Sequence, residues 1–128
     1  MKREIKFRAW DESFGIMVYD IDPDHYEVYF NGNQLTCRPI DGNGDPFTLP
    51  LLQFTGLRDE NGKEIYEGDI ITSRLYPFQD GYTHDVYFKD GDFRLRWTMF
   101  RLSEMFEHTH TDIEVIGNIY ENPELLKA

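Results

Sequence analysis

Residues 53–71 read QFTGLRDENGKEIYEGDII, and this stretch decides which fold the sequence predicts. The apolar run 51–55 leads into the turn residues 59–62 (Asp-Glu-Asn-Gly), a composition that accepts the positive φ angles of a tight hairpin. A returning strand begins at residues 65–66, and Gly68 interrupts it before the next apolar pair. Every polar residue here has a conformational reason, so the stretch predicts a β-hairpin followed by a second turn and requires no catalytic role.

The rest of the chain continues in short β segments separated by turns. Alternating or β-rich runs predict hairpins and single strands, and two places favour a helical turn. The predicted elements are a hairpin over 5–19, a strand at 26–30, an Asp-Gly hairpin over 85–97, a helical turn carrying Phe100, Leu102, Met105 and Phe106, a strand at 113–119, and a helix start with Asn122 as cap and Pro123 at the first helical position.

Composition excludes several classes of protein. Asp and Glu number 24 against 13 for Lys and Arg, which gives a net charge of −11. A protein that binds nucleic acid through phosphates needs a basic face, so direct nucleic-acid binding is disfavoured. No apolar run is long enough for a membrane span, and the charged N-terminus does not resemble a secretory signal. A single cysteine, Cys37, forms no internal disulfide, which fits a reducing cytoplasm.

Four segments carry a family resemblance: IKFRAWD (5–11), LLQFTGLRDENGKEIYEGDII (51–71), VYFKDGDFRL (86–95) and EVIGNIYENPELL (114–126). In this order they resemble the YopX family of small bacteriophage and prophage proteins. Residues 20–50 and 72–84 match poorly. The resemblance implies a phage or prophage origin, a location in the host cytoplasm and homo-oligomerisation, and it implies no known biochemical activity.

The order of turns and strands in the second half is similar to that of small SH3-like barrels. Five or so short strands with tight turns suit a small closed β-barrel. We therefore predict a mainly β fold, with an N-terminal β-meander at 1–54 followed by an SH3-like barrel at 55–128. The two parts are alternatively one composite domain.

His108, His110 and Asp112 are the residues most suggestive of a metal site. On a strand, a period of two places them on one face as two histidines and one carboxylate. Residues two apart on a strand lie about 7 Å from each other, which is too far to converge on one ion. Residues 41–46 (DGNGDP) place Asp41 among calcium-type ligands but lack the required Gly and the final Glu. We predict no metal and no cofactor.

Catalytic groups are equally weakly indicated. Glu67 and Asp69 flank Gly68 and could face one side, but no base, nucleophile or phosphate-binding glycine motif accompanies them. Cys37 has no recognisable histidine partner and is interpreted as a structural or surface thiol. The sequence therefore predicts a protein that is not an enzyme.

Two groups of residues could serve binding. The aromatic side chains could stack on bases, although packing in a core or interface is favoured because a nucleic-acid groove also needs basic residues. Arginine and lysine gather near the N-terminus and again late in the chain, where ordinary solvated charge is the favoured interpretation. The aromatics are Trp10, Tyr19, Tyr26, Tyr29, Tyr76, Tyr82 and Trp97, and the basic groups are Lys2, Arg3, Lys6 and Arg8, then Arg94, Arg96 and Arg101.

The expected function is that of an accessory protein that associates with itself and with a host or phage protein. Twenty aromatic residues on 128 are hard to bury within one small domain, which favours a homo-oligomer. The alternative is an acidic regulator of host or phage nucleic-acid machinery.

Overall fold

The computed structural model describes residues 4–19, 21–22, 24–32, 34–40, 49–73, 83–96, 98, 101–104 and 113–126. The chain divides into two compact units, Met1–Gln53 and Phe54–Ala128. Strands dominate both, as the sequence predicts. Within the described ranges no helix is long and apolar enough to cross a membrane.

The first unit is an antiparallel sheet with strand order β2-β1-β5-β4-β3. The predicted N-terminal hairpin and the strand at 26–30 are confirmed. The strands are β1 (Phe7–Asp11), β2 (Ile16–Tyr19), β3 (Tyr26–Asn31), β4 (Gln34–Pro39) and the start of β5 (Leu49–Arg58).

β5 lies between β1 and β4, so the sheet is not the simple meander that we predicted. Leu51 pairs with Ala9 of β1, and Leu49 pairs with Cys37 of β4. Leu52, which points to the opposite face from Leu51, is also buried. A strand that is apolar on both faces is most stable with a neighbour on either side, which explains its central place.

The second unit begins on the far part of β5, which pairs with β6, and contains a four-stranded sheet with order β10-β7-β8-β9. Its core consists of Ile65, Ile71, Val86, Leu95, Leu102, Ile113 and Val115. The elements are β6 (Glu64–Tyr66), β7 (Asp69–Ser73), β8 (His84–Lys89), β9 (Asp92–Leu95), β10 (Ile113–Asn118) and a 3₁₀ helix (Pro123–Leu125).

Closure into an SH3-like barrel is not seen in the strand pairings of the described residues. β9 and β10 are the two edges of the sheet and do not pair with each other. The outer edge of β10 bonds to the β5–β6 turn instead: the Glu60 N–H donates to the Ile113 carbonyl at 2.9 Å, and the Val115 N–H donates to Asp59 at 2.9 Å. The sheet is therefore antiparallel but open.

The tight turns follow the predicted chemistry. Asp90 and Gly91 have φ angles of 53° and 78° between the paired residues Lys89 and Asp92. This is the left-handed conformation that a two-residue hairpin loop requires. Residues 102–104 are helical as predicted, whereas Phe100, Met105 and Phe106 lie outside the described residues.

Asp59 is the main polar anchor of the second unit. Its Oδ1 accepts the N–H groups of Asn61 and Lys63, each at 2.9 Å, and its Oδ2 accepts that of Val115. The carboxylate is buried. One side chain thus shapes the β5–β6 turn and attaches it to a strand 56 residues further along the chain.

Replacing Asp59 with Ala tests this anchor. We expect the free energy of unfolding in urea to fall by about 3 kcal/mol, because three N–H groups lose a charged acceptor. Asn61→Ala is the matched control, since that exposed residue takes part through its backbone, and its effect should stay within about 0.5 kcal/mol. Equal losses in the two variants would contradict the anchoring role.

Candidate functional site

The acidic and amide residues of the turns bind the backbone. Asp69, one member of the predicted acid pair, is buried, and its Oδ2 accepts the Tyr66 N–H at 2.8 Å. Asn118 Oδ1 accepts the N–H groups of Tyr120 and Glu121 at 3.0 and 2.9 Å. These contacts give Asp69 and Asn118 conformational roles within the turns.

As predicted, Asn122 is the N-cap residue of the 3₁₀ helix, which begins at Pro123. Asn122 makes no side-chain cap hydrogen bond. Its Oδ1 accepts the N–H of Asn118 at 3.2 Å instead. A Cβ at Gly117 would lie 2.5 Å from Asn122 Oδ1, so glycine is required for this close approach.

The residues suggestive of metal binding, His108, His110 and Asp112, lie outside the described residues, as does Asp41 with the rest of the 41–46 segment. Within the part of the chain that the structure describes, no cluster of three or more His, Cys, Asp or Glu side chains could hold a metal ion.

Cys37 lies in the core of the first unit. Its side chain is fully buried in a cluster with Ala9, Leu49 and Leu51. This apolar burial raises the pKa of the Cys37 thiol from 9.0 to about 11, because the thiolate would lose its hydration. The thiol is therefore placed to pack, and it is poorly suited to act as a nucleophile at neutral pH.

Alkylation of the Cys37 thiol should report this burial. At pH 8 the native protein should react with a thiol reagent far more slowly than the urea-unfolded chain. Stability should also decrease as the pH rises from about 9 to about 11, because the unfolded chain releases the thiol proton first. Cys37→Ala should remove that component of the pH dependence. Fast labelling of the folded protein would contradict the assignment.

The aromatic side chains of the first unit do not form one stacking surface. Tyr19 lies on β2 and Tyr29 on β3, the two outer strands of the sheet. Tyr26 points to the face opposite Tyr29, where it packs against the core. Tyr76, Tyr82 and Trp97 lie outside the described residues.

The core face of the first unit extends to the sheet edge at β3. Val28 pairs with the buried Cys37, and Phe30 pairs with Leu35, so their side chains lie on the core face. Even so, Val28 is 50% exposed and Phe30 is 75% exposed. Apolar side chains thus continue from a packed core into solvent. We call Val28 and Phe30 the β3 rim.

The backbone of the β3 rim also points outward. The Ile40 N–H donates to the His25 carbonyl at 2.9 Å, which makes residues 25 and 40 a hydrogen-bonded pair of the antiparallel ladder. Bonded and non-bonded pairs alternate along such a ladder, so Val28 and Phe30 occupy non-bonded positions. Their N–H and C=O groups therefore point away from β4, toward the open side of the edge strand.

The β3 edge has little net charge even though the chain carries −11. Its one acidic residue, Glu27, forms an ion pair with Arg38 of β4, with 2.6 Å between Arg38 Nη2 and Glu27 Oε2. The Arg38 guanidinium also lies 5.4 Å from the centre of the Tyr29 ring. The edge is apolar on one face and neutralised on the other, which suits it to association.

The two antiparallel sheets, with β3 at an edge of the first among the described residues, define a small, mainly β protein. The family model described as "YopX protein" matches residues 6–127. The chain therefore belongs to the YopX family, as its sequence segments indicate.

Two crystal structures resemble the chain over nearly its whole length. Protein EF1440 from Enterococcus faecalis is 28% identical with a TM-score of 0.67, covering 98% of this chain and 100% of its own. Protein yopX from Bacillus subtilis is 24% identical with a TM-score of 0.50, covering 95% and 98%, and supports the fold alone. Among curated proteins, none matches this chain.

Proposed function

We propose that this protein is a non-enzymatic interaction module that associates with itself through the β3 edge. The observation that carries the proposal is the β3 rim, where two exposed apolar side chains coincide with outward-facing backbone groups. An edge strand with both features is a template for another strand. Val28 and Phe30 supply apolar surface, and their amides and carbonyls supply hydrogen bonds.

A second copy of the chain is the partner that the edge fits best. Antiparallel pairing of β3 with its own copy would place rim residues opposite rim residues, because the outward-facing groups recur at every second position. The mutual repulsion of two acidic chains is smallest where Glu27 is already neutralised by Arg38. Self-pairing of this kind gives a closed, twofold-symmetric dimer.

Membership of the YopX family supports the wider setting. We infer that the protein is encoded by a phage or prophage and acts in the host cytoplasm as an accessory protein. The buried cysteine fits a reducing compartment but does not by itself specify one. Asp69 accepts a backbone N–H group and Cys37 packs in the core of the first unit, so any catalytic activity would have to come from other groups.

Light scattering coupled to size exclusion tests the self-association. At physiological salt the wild-type mass should be a multiple of 15.2 kDa. Phe30→Lys should shift the mass toward one subunit, because a charged side chain on an edge strand opposes pairing. Val28→Lys should shift the mass in the same direction, because Val28 is the other exposed residue of the β3 rim.

Phe88→Lys is the matched control. Phe88 is 50% exposed, like Val28, but lies in the second unit, where it packs edge-on against Phe93 with ring centres 5.2 Å apart. The Phe88→Lys variant introduces the same charge as Phe30→Lys but lies outside β3, so it should leave the mass unaltered. A wild-type mass of one subunit at every concentration, or dissociation by Phe88→Lys alone, would overturn the proposal.

A further inference from the structure

We propose that the second unit carries an anion site, formed by Arg94, Arg96 and Arg101, that binds a compact ligand with two or more linked phosphate groups. We call these three residues the arginine face. The proposal is independent of self-association, since it concerns the β8–β9 hairpin and the segment that bridges to it.

The three arginines lie on one face of the sheet. Arg94 is directly opposite Tyr87 in the β8–β9 ladder, and an isolated β-bridge pairs Arg94 with Arg101. The Arg96 guanidinium lies over the Tyr87 ring, 4.4 Å from its centre. The opposite face of the hairpin contains Val86 and Leu95, which belong to the core. The arginine face is therefore the solvent side of a strand pair whose other side is fixed by packing.

Each guanidinium is held through its Nε. Arg96 Nε contacts both carboxylate oxygens of Asp85, at 3.1 and 3.0 Å, and the Asp85 side chain is only 3% exposed. Arg94 Nε donates to the Lys89 carbonyl at 3.2 Å, and Arg101 Nε lies 3.4 Å from Asp92 Oδ2. All three side chains are thus anchored by the nitrogen nearest the chain.

The outer nitrogens remain available for a ligand. A guanidinium has five N–H donors, four of them on its two Nη atoms. No Nη of Arg94, Arg96 or Arg101 hydrogen-bonds to another described residue. Anchoring at Nε reduces the conformational entropy that binding must remove, while the planar Nη pair remains free to bond oxyanions in a bidentate manner.

The charge of the face differs from that of the chain. The hairpin and its bridge carry four cations, Lys89 and the three arginines, against four carboxylates, those of Asp85, Asp90, Asp92 and Glu104. Glu104 Oε1 additionally accepts the Arg101 N–H at 3.4 Å. This segment is therefore neutral on a protein of net charge −11, so an anion meets less repulsion here than the net charge of the chain would give.

The positions of the three arginines favour a compact phosphate ligand over a long polyanion. Arg94 and Arg101 are anchored toward the hairpin tip, whereas Arg96 is anchored beside Asp85 at the other end. Linked phosphates can contact guanidinium groups at both positions, and a single phosphate reaches fewer of them. A long nucleic-acid strand would extend beyond the arginine face onto the rest of an acidic protein.

Isothermal titration with inorganic pyrophosphate tests the site. The wild-type protein should bind pyrophosphate more tightly than it binds inorganic phosphate. Arg94→Gln and Arg101→Gln should each weaken pyrophosphate binding by about tenfold, as expected when a charged hydrogen-bond donor is lost. Both variants leave the buried Asp85 paired with Arg96, so their folding can be verified by an unchanged urea midpoint.

Arg58→Gln is the matched control for charge. Arg58 belongs to the same unit, and its Nη2 already lies 3.4 Å from Glu64 Oε2. This variant should bind pyrophosphate as the wild type does. The proposal is overturned if pyrophosphate does not bind at millimolar concentration, if Arg94→Gln and Arg101→Gln bind it normally, or if Arg58→Gln weakens binding equally.

Discussion

The second unit depends on the hydrogen bonds that the Asp59 carboxylate accepts. A strand at the edge of a sheet normally exposes a row of unpaired amides and carbonyls, and β10 would do so. Asp59 and the neighbouring Glu60 amide occupy that edge at Val115 and Ile113. The β5–β6 hairpin is therefore more than a connection, because it terminates the sheet on the β10 side.

The β3 edge of the first unit differs from the β10 edge. Among the described residues no side chain bonds to the outward-facing backbone groups of Val28 and Phe30, and the apolar side chains of these two residues remain exposed. The arginine face shows a third arrangement, in which polar contacts hold side chains in position without using all their donors. Polar contacts thus close the β10 edge and hold the arginine face in position, whereas the outer side of β3 has none among the described residues.

Local chemistry explains what the sequence could predict. The Asp-Gly turn at residues 90–91 and the turn at 59–62 determine their hairpins through backbone angles that few residues accept, so these elements are readable from composition. The central place of β5 is not readable in this way, because it depends on pairing with strands far apart in sequence. The second sheet was predicted to close into a barrel, whereas the observed sheet is open. This feature also depends on pairing between strands far apart in sequence.

The candidate sites show the same limit. A run such as FRLRW indicates that Arg94 and Arg96 share a face, but their anchoring depends on Asp85 and on the Lys89 carbonyl across the hairpin. Likewise, the exposure of Phe30 cannot be known until β3 is placed at an edge. Side chains of the same type thus differ in exposure and in hydrogen bonding according to their place in the fold.

The connection between β7 and β8 has an evolutionary consequence. Ile71 and His84 are direct partners in the antiparallel ladder, which fixes the register of β7 against β8. The entropy of closing a connection between two paired strands grows slowly with its length, so added residues need not disturb their register. This is a position where one lineage can gain or lose a whole segment while the underlying sheet is inherited unchanged.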